Sequence, residues 1–83
     1  MNKVLVLVYV PLLEKKYEVW IPINRKVYAA IFLIAKEINR LMENDIPLSA
    51  NISFYNRMTG NIYDRNLIIK DTDIRNGTEL VLI

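Results

Sequence analysis

Residues 73–83 read DIRNGTELVLI, and this stretch decides the fold. Asn76-Gly77 is a strong turn signal, because this pair favours backbone with a positive φ where a chain reverses into a strand. The five residues from Glu79 to Ile83 are rich in branched apolar side chains, which suit a buried strand better than a solvated tail. The stretch therefore predicts a tight turn that leads into a core strand.

Size and composition set the limits of the chemistry. The chain has 83 residues, a net charge of +2, and neither cysteine nor histidine. This length predicts one domain over residues 1–83. Without cysteine there are no disulfides, thiolate nucleophiles or Cys-type metal sites, and without histidine the commonest general base and metal ligand is missing. We therefore expect no catalytic residues, no cofactor and no metal site, and hence a protein that is not an enzyme.

The placement of charge and of apolar residues bears on partners and location. Lysine and arginine are scattered along the sequence, whereas nucleic-acid binding needs a clustered basic surface. The apolar run at residues 4–10 is too short for a signal core or for the span of about 18 apolar residues that crosses a membrane, and Pro11 follows it. We expect no nucleic-acid partner, no membrane insertion and a cytoplasmic location.

Local patterns predict the element order β-β-α-β-(β)-β. The first two strands, residues 4–10 and 17–23, form a hairpin. Pro22 places the second strand at a sheet edge, because proline cannot donate to a ladder. Further strands are predicted at residues 52–55, at 62–63 as a short optional strand, and at 79–83.

The segment of residues 25–44 is the one predicted helix, with Asn24 as its N-cap. Its apolar stripe follows helical spacing and contains Val27, Ile31, Ile34, Ile38, Leu41 and Met42. One helix and four or five strands must share one core, so we predict an α+β fold with the helix across one face of a four- to five-stranded mixed sheet. A right-handed crossover makes residues 4–10 and 80–83 the central pair, which is the β-grasp arrangement.

The segment of residues 69–82, IKDTDIRNGTELVL, resembles the closing pattern of ubiquitin-like proteins. That pattern is an apolar residue, Asp two positions later, Ile, a turn and Leu-x-Leu. Within this superfamily the chain is most similar to the YukD-like proteins of Gram-positive type VII (WXG100) secretion systems, which the turn at residues 57–61 also resembles. The chain departs from the pattern at Asp73, where such proteins commonly carry glycine. The resemblance implies a ubiquitin-like β-grasp domain that is an accessory or regulatory component of such a secretion system.

The resemblance also has a negative implication. Ubiquitin and the sulfur carriers that share its fold act through a C-terminal Gly-Gly. This sequence has glycine only at positions 60 and 77. We therefore expect no covalent conjugation and no sulfur carriage.

The predicted interaction surface is the sheet face that the helix leaves uncovered. Residues 4–10 are apolar at every position, so alternation sends half of them to each face, and the sequence leaves open which half meets the helix. If Leu80 and Leu82 point inward, Val81 and Ile83 point outward, and a contiguous outer patch exceeds what a monomer usually exposes. We predict a face that binds a secretion-system component or a second copy. The candidate interface residues are Leu5, Leu7, Trp20, Phe32, Leu33, Val81 and Ile83.

Other interpretations of these residues remain open. Asp64, Asp71 and Asp73 could form a carboxylate site, although turn aspartates more commonly cap backbone N–H groups. The five tyrosines and Trp20 could stack RNA bases, although the RNA-binding signature is missing and packing is favoured. The apolar first strand could simply be a buried central strand. An alternative function is that of a β-grasp regulatory subunit in a multicomponent enzyme complex.

Overall fold

A computed structural model describes residues 2–42 and 52–83. This part of the chain contains four strands and one α-helix: β1 (Lys3–Val10), β2 (Lys15–Pro22), α1 (Val27–Met42), β3 (Phe54–Asn56) and β4 (Glu79–Leu82). The strand order is β2-β1-β4-β3, with β1 antiparallel to β2 and parallel to β4, and β3 antiparallel to β4. The mixed sheet with one helix on one face, and the central pair of first and last strands, are confirmed.

The inner face of β1 consists of its even-numbered valines. Val6, Val8 and Val10 are at most 2% exposed and belong to one core cluster with the helix stripe and the inner residues of β4. Leu5 and Leu7, with Tyr9, lie on the other face and are only partly covered. The even-numbered half of β1 therefore meets the helix, and the odd-numbered residues lie on the outer face.

The hairpin between β1 and β2 is tighter than the sequence indicates. A 3₁₀ turn over Pro11–Leu13 is followed by Glu14, which has φ +53° and donates its N–H to the Pro11 carbonyl at 3.1 Å. Because the chain reverses at Glu14, Lys15 and Lys16 already belong to β2, which begins two residues earlier than predicted. Among the strands that the structure describes, β2 pairs with β1 alone, so the edge position predicted from Pro22 is confirmed.

The helix begins at Val27, two residues after the predicted start. Its first N–H groups donate to backbone carbonyls of a distant loop: Val27 to Leu67 at 2.8 Å and Tyr28 to Arg65 at 3.1 Å. The prediction of Asn24 as the N-cap is therefore wrong, because a tertiary contact supplies the acceptors that a capping side chain would otherwise provide.

The apolar stripe of α1 is confirmed where the structure describes it. Val27, Ile31, Ile34 and Ile38 are each at most 2% exposed. The side chains of Leu41 and Met42 and the predicted helix end at residues 43–44 lie outside the described residues. The strand predicted at residues 52–55 is β3, which begins two residues later and ends one residue later than predicted. The optional strand at residues 62–63 is a single bridge between Ile62 and Tyr55 rather than a strand.

The turn before β4 is bonded to β1. The Thr78 N–H donates to the Arg75 carbonyl at 3.1 Å, and Gly77 between them has φ +85°. Asn76 accepts the Leu5 N–H on its Oδ1 at 2.8 Å, and the Gly77 N–H donates to the Leu5 carbonyl at 2.8 Å. The Asn-Gly pair therefore both reverses the chain and fixes β4 to the start of β1.

Candidate functional site

The outer face of the sheet carries side chains in cross-strand rows. Leu5 lies opposite Trp20, and Leu7 lies between Glu18 on β2 and Glu79 on β4. A third row runs across all four strands and contains Lys16, Tyr9, Val81 and Tyr55. The first row contains the exposed Trp20, whereas Val81 in the third row is buried. The candidate site therefore lies on the first two rows.

The first two rows form the floor of an open groove of about 900 Å³. Leu5 and Leu7 lie at its base, Trp20 stands on one side, and Met58 and Thr59 stand on the other. Trp20 is 51% exposed and Met58 is 81% exposed. Two large apolar side chains therefore flank two leucines in a surface depression, an arrangement that suits burial against another molecule. We call these residues with Thr59 the outer groove.

The turn that presents Met58 is held by a set of short hydrogen bonds. Asn56 accepts the N–H groups of Met58 and Thr59 on its Oδ1, at 2.8 and 3.2 Å. Its carbonyl accepts the Gly60 N–H at 2.8 Å, where Gly60 has φ +76°. Because the turn is already ordered, Met58 can contact a partner with little further loss of backbone entropy.

A second set of bonds braces this turn against the segment before β4. Asn56 donates from Nδ2 to the Tyr63 hydroxyl at 3.0 Å, and that hydroxyl donates to Asp73 Oδ1 at 2.6 Å. Tyr63 is only 7% exposed. Burial and the adjacent Asp73 carboxylate raise the pKa of Tyr63 to about 12, since both disfavour the phenolate. The hydroxyl is therefore a neutral bridge and not an acid or base at neutral pH.

The aspartates considered for a carboxylate site are separate in the structure. Asp64 accepts the Asn66 N–H on its Oδ1 at 2.8 Å, which confirms the turn interpretation for this residue, and Asp73 is bonded to Tyr63. Among residues 2–42 and 52–83, no three potential ligands of the Asp, Glu, His or Cys type lie close enough together to hold a metal ion.

Acidic side chains border the groove floor. Glu18 and Glu79 lie on either side of Leu7. Glu79 is 3.8 Å from the guanidinium of Arg57, which also lies 5.5 Å from the centre of the Tyr9 ring. Arg57 thus covers the third row and partly neutralises one of the two carboxylates. Glu18 leaves a negative charge beside the apolar floor.

Of the predicted interface residues, the structure brings Leu5, Leu7 and Trp20 together. Val81 lies on the outer face but is only 3% exposed, because it is flanked by Tyr9 and Tyr55 in the third row. The expectation that Val81 is an exposed contact is therefore wrong. Ile83 is 56% exposed but lies about six residues beyond Leu5 in the parallel register, or about 20 Å at roughly 3.3 Å per residue, so it is not part of the groove.

The helix candidates lie on the opposite side of the sheet. Phe32 is 47% exposed and Leu33 is 48% exposed. Leu33 lines a second depression between α1 and β2, together with Tyr17 and Val19. Trp20 also lines this second depression, whereas Phe32 lines neither depression. Phe32 and Leu33 remain predictions for a second contact.

Sequence reasoning missed Met58 as a candidate. Its signal was present, since a large apolar residue between Arg57 and Thr59 has no evident reason to lie in a polar turn, and methionine is common at binding surfaces. What local sequence patterns do not show is that the turn after β3 stands across the groove from Trp20, because this placement depends on the packing of the complete sheet.

Solved structures of ubiquitin-like domains share the whole fold. The EccD5 ubiquitin-like domain from Mycobacterium xenopi matches with a TM-score of 0.77 at 19% identity, over 100% of this chain and 94% of that one. This chain has the ubiquitin-like β-grasp fold. No family model matches the sequence, and no curated protein does.

Two further solved structures contain the same fold in larger assemblies. A chain of the MycP5-free ESX-5 inner membrane complex matches with a TM-score of 0.73 at 13% identity, over 100% of this chain but 21% of that chain. A chain of the toluene 4-monooxygenase HD complex with the inhibitor 4-bromobenzoate matches with a TM-score of 0.72 at 8% identity, over 96% and 95% of the two chains. Within the described ranges of this protein, no helix has the length and apolar character needed to span a membrane.

Proposed function

We propose that this protein is a non-catalytic protein-interaction module and an accessory or regulatory component of a bacterial type VII-like secretion system. The observation that carries the proposal is the outer groove, in which Trp20 and Met58 stand exposed on either side of Leu5 and Leu7. The fold shared with EccD5 and with a chain of the ESX-5 inner membrane complex supports the secretion setting. The cytoplasmic location is part of the same proposal.

The groove has the features of a binding surface for a protein. Tryptophan and methionine supply large contact areas, and aromatic anchors near the centre of an interface dominate binding energy. The hydrogen-bonded Asn56 turn and the β1–β2 ladder hold the two walls in place, so the groove does not need to form on binding. Glu18 at the floor selects for a partner with a basic group next to its apolar contact.

A complementation experiment tests the groove. In a strain that lacks the gene, the wild-type protein restores secretion of a WXG100 substrate, whereas Trp20→Ala combined with Met58→Ala lowers secretion by about tenfold or more, because each removes an anchor worth at least about 1 kcal/mol. Leu12→Ala is the matched control, since Leu12 is 71% exposed and lies outside the groove. Circular dichroism checks that each variant is folded. Wild-type secretion from the folded double variant would contradict the proposal.

The alternative is a β-grasp regulatory subunit of a multicomponent enzyme complex. The likeness to a chain of the toluene 4-monooxygenase complex is the specific observation behind it, and it is less favoured than the secretion role because the likeness to EccD5 is closer in both fold and sequence. The genes beside this one separate the two. Genes for small Trp-x-Gly helical proteins and a membrane ATPase favour secretion, and genes for oxygenase subunits favour the alternative.

A further inference from the structure

The strand β2 is an open edge of the sheet. It pairs with β1 over Lys15–Pro22, and the Ile23 N–H extends this ladder to the Asn2 carbonyl at 2.9 Å. Hydrogen-bonded and non-bonded pairs alternate in an antiparallel ladder, so the odd-numbered residues of β2 bond to β1 and the even-numbered ones turn their backbone groups away. Within residues 2–42 and 52–83, Lys16, Glu18 and Trp20 therefore present free N–H and C=O groups at this edge. The opposite edge, β3, is only three residues long and is bridged to Ile62.

This edge is only partly protected against pairing with another strand. Pro22 lies in the outward phase, so its missing N–H closes one end of the edge to a full ladder. Lysine at an edge also discourages pairing, because it repels a second lysine. Glu18, however, lies two positions from Lys16 on the same outer face, and both side chains are exposed. The edge thus presents both signs of charge at the spacing of a strand.

We propose that two copies of this chain pair through β2 in an antiparallel register centred on Tyr17. In this register Lys16 of each copy lies opposite Glu18 of the other, so two ion pairs form across the junction. Lys16 and Glu18 are also the residues whose backbone groups are free, and each pair exchanges two backbone hydrogen bonds. The charge pattern of the edge is therefore complementary to itself about a two-fold axis.

The neighbouring registers are less favourable. A register centred on Lys16 places two lysines opposite each other, and one centred on Glu18 places two glutamates opposite each other, which is repulsive in both cases. Registers centred further towards the end of β2 bring Pro22 into a hydrogen-bonded pair in which it has no N–H to donate. Of these registers, the one centred on Tyr17 alone places opposite charges in facing positions and keeps an N–H donor on both residues of each hydrogen-bonded pair.

The proposed pairing leaves the outer groove free. The two-fold axis is perpendicular to the sheet, so the two sheets become one continuous sheet with both α1 helices on one side and both grooves on the other. The axis also brings the depression between α1 and β2 of one copy next to the same depression of the other copy. Leu33, which lines this depression, is half exposed in the single chain. The two proposals share one group, Glu18, which borders the groove and is paired with Lys16 of the other copy in the dimer. If the pairing fails, the apolar contacts of the groove and the proposed function that rests on them are unchanged.

Charge reversal and charge exchange test the register in the purified protein. Sedimentation equilibrium up to about millimolar concentration should show a monomer–dimer equilibrium for the wild type. Lys16→Glu and Glu18→Lys should each raise the dimer Kd about tenfold or more, because every facing pair then has like charges. The double exchange Lys16→Glu with Glu18→Lys should restore the wild-type Kd, and an equal mixture of the two single variants should form a heterodimer.

A matched control and a backbone readout complete the test. Lys36→Glu makes the same change in net charge as Lys16→Glu, on an exposed position of α1, and should leave the Kd unchanged. At high concentration the amide hydrogens of Lys16 and Glu18 should exchange more slowly, whereas Trp20→Ala should still dimerise. A wild type that is monomeric throughout, or single variants that dimerise as the wild type does, would overturn the proposal.

Discussion

Tyr63 shows how one side chain holds the Met58 wall of the groove in place. Its hydroxyl receives a bond from Asn56, which shapes the Met58 turn, and donates to Asp73 in the segment before β4. Asp73 departs from the closing pattern that residues 69–82 resemble, and its bond to Tyr63 gives this departure a structural reason. The carboxylate is the acceptor that allows a buried tyrosine to keep its hydroxyl hydrogen-bonded.

The same residue predicts a dependence of stability on pH. The folded-state pKa of Tyr63 is about 12, whereas an unfolded tyrosine has a pKa near about 10. Between these values the unfolded chain has lost the proton that the folded chain retains, so the free energy of unfolding falls as pH rises, by about 1.4 kcal/mol per pH unit from this group. Below about pH 10 the stabilisation that comes from the raised pKa of Tyr63 is fully present.

Urea unfolding of the wild type and of Tyr63→Phe at several pH values measures this effect. The variant lacks the titrating group but keeps the ring, and lysine titration is common to both proteins. We expect the stability advantage of the wild type to shrink between about pH 10 and about pH 12. A difference between the two proteins that stays constant over this range would show that Tyr63 is not held neutral by the fold.

At the scale of the element, β4 differs from the simple inside-outside alternation of a strand. Leu80 and Leu82 are buried on the inner face as expected, but Val81 on the outer face is buried as well. Its neighbours in the third row are tyrosines, and Arg57 covers the Tyr9 ring. Val81 is therefore the centre of a small outer cluster and not an exposed side chain.

Substitutions at Val81 test this cluster. Val81→Ala should lower the free energy of unfolding by about 1–2 kcal/mol, since it removes buried methyl groups, and Val81→Lys should cost more because a charge would be buried without a partner. Chemical denaturation measures both. Ile83→Lys is the matched control on the same strand end, where the side chain is 56% exposed and little change is expected. Equal stability of Val81→Lys and Ile83→Lys would contradict the burial of Val81.

The elements also show how far sequence reasoning reaches. The closing motif and Pro22 carry local signals for a turn and an edge strand, and both predictions are confirmed. The start of α1 depends on the carbonyls of Leu67 and Arg65, which are distant in the chain, so no local cap could reveal it. Likewise the all-apolar β1 has no polar face to fix its orientation, and only packing against α1 decides that Leu5 and Leu7 lie outside.

At the scale of the whole molecule, the groove is a product of topology. Its walls come from β2 and from the turn after β3, which lie on opposite edges of the sheet, and its floor comes from β1 between them. The sequence identified Trp20 and the two leucines from their apolar character, but their union with Met58 required the complete sheet. Ile83 was excluded for the same reason, because the parallel register of β1 and β4 places it at the far end.

In the proposed function, the outer groove contacts a component of a type VII-like secretion apparatus. Site-specific photocrosslinking in the cells that produce this protein tests it most directly. A photoreactive residue at position 58 should crosslink to a component of the secretion apparatus, identified by mass spectrometry, whereas the same residue at the exposed position 12 should not. Crosslinks to such a component from both positions alike, or from neither, would contradict the account.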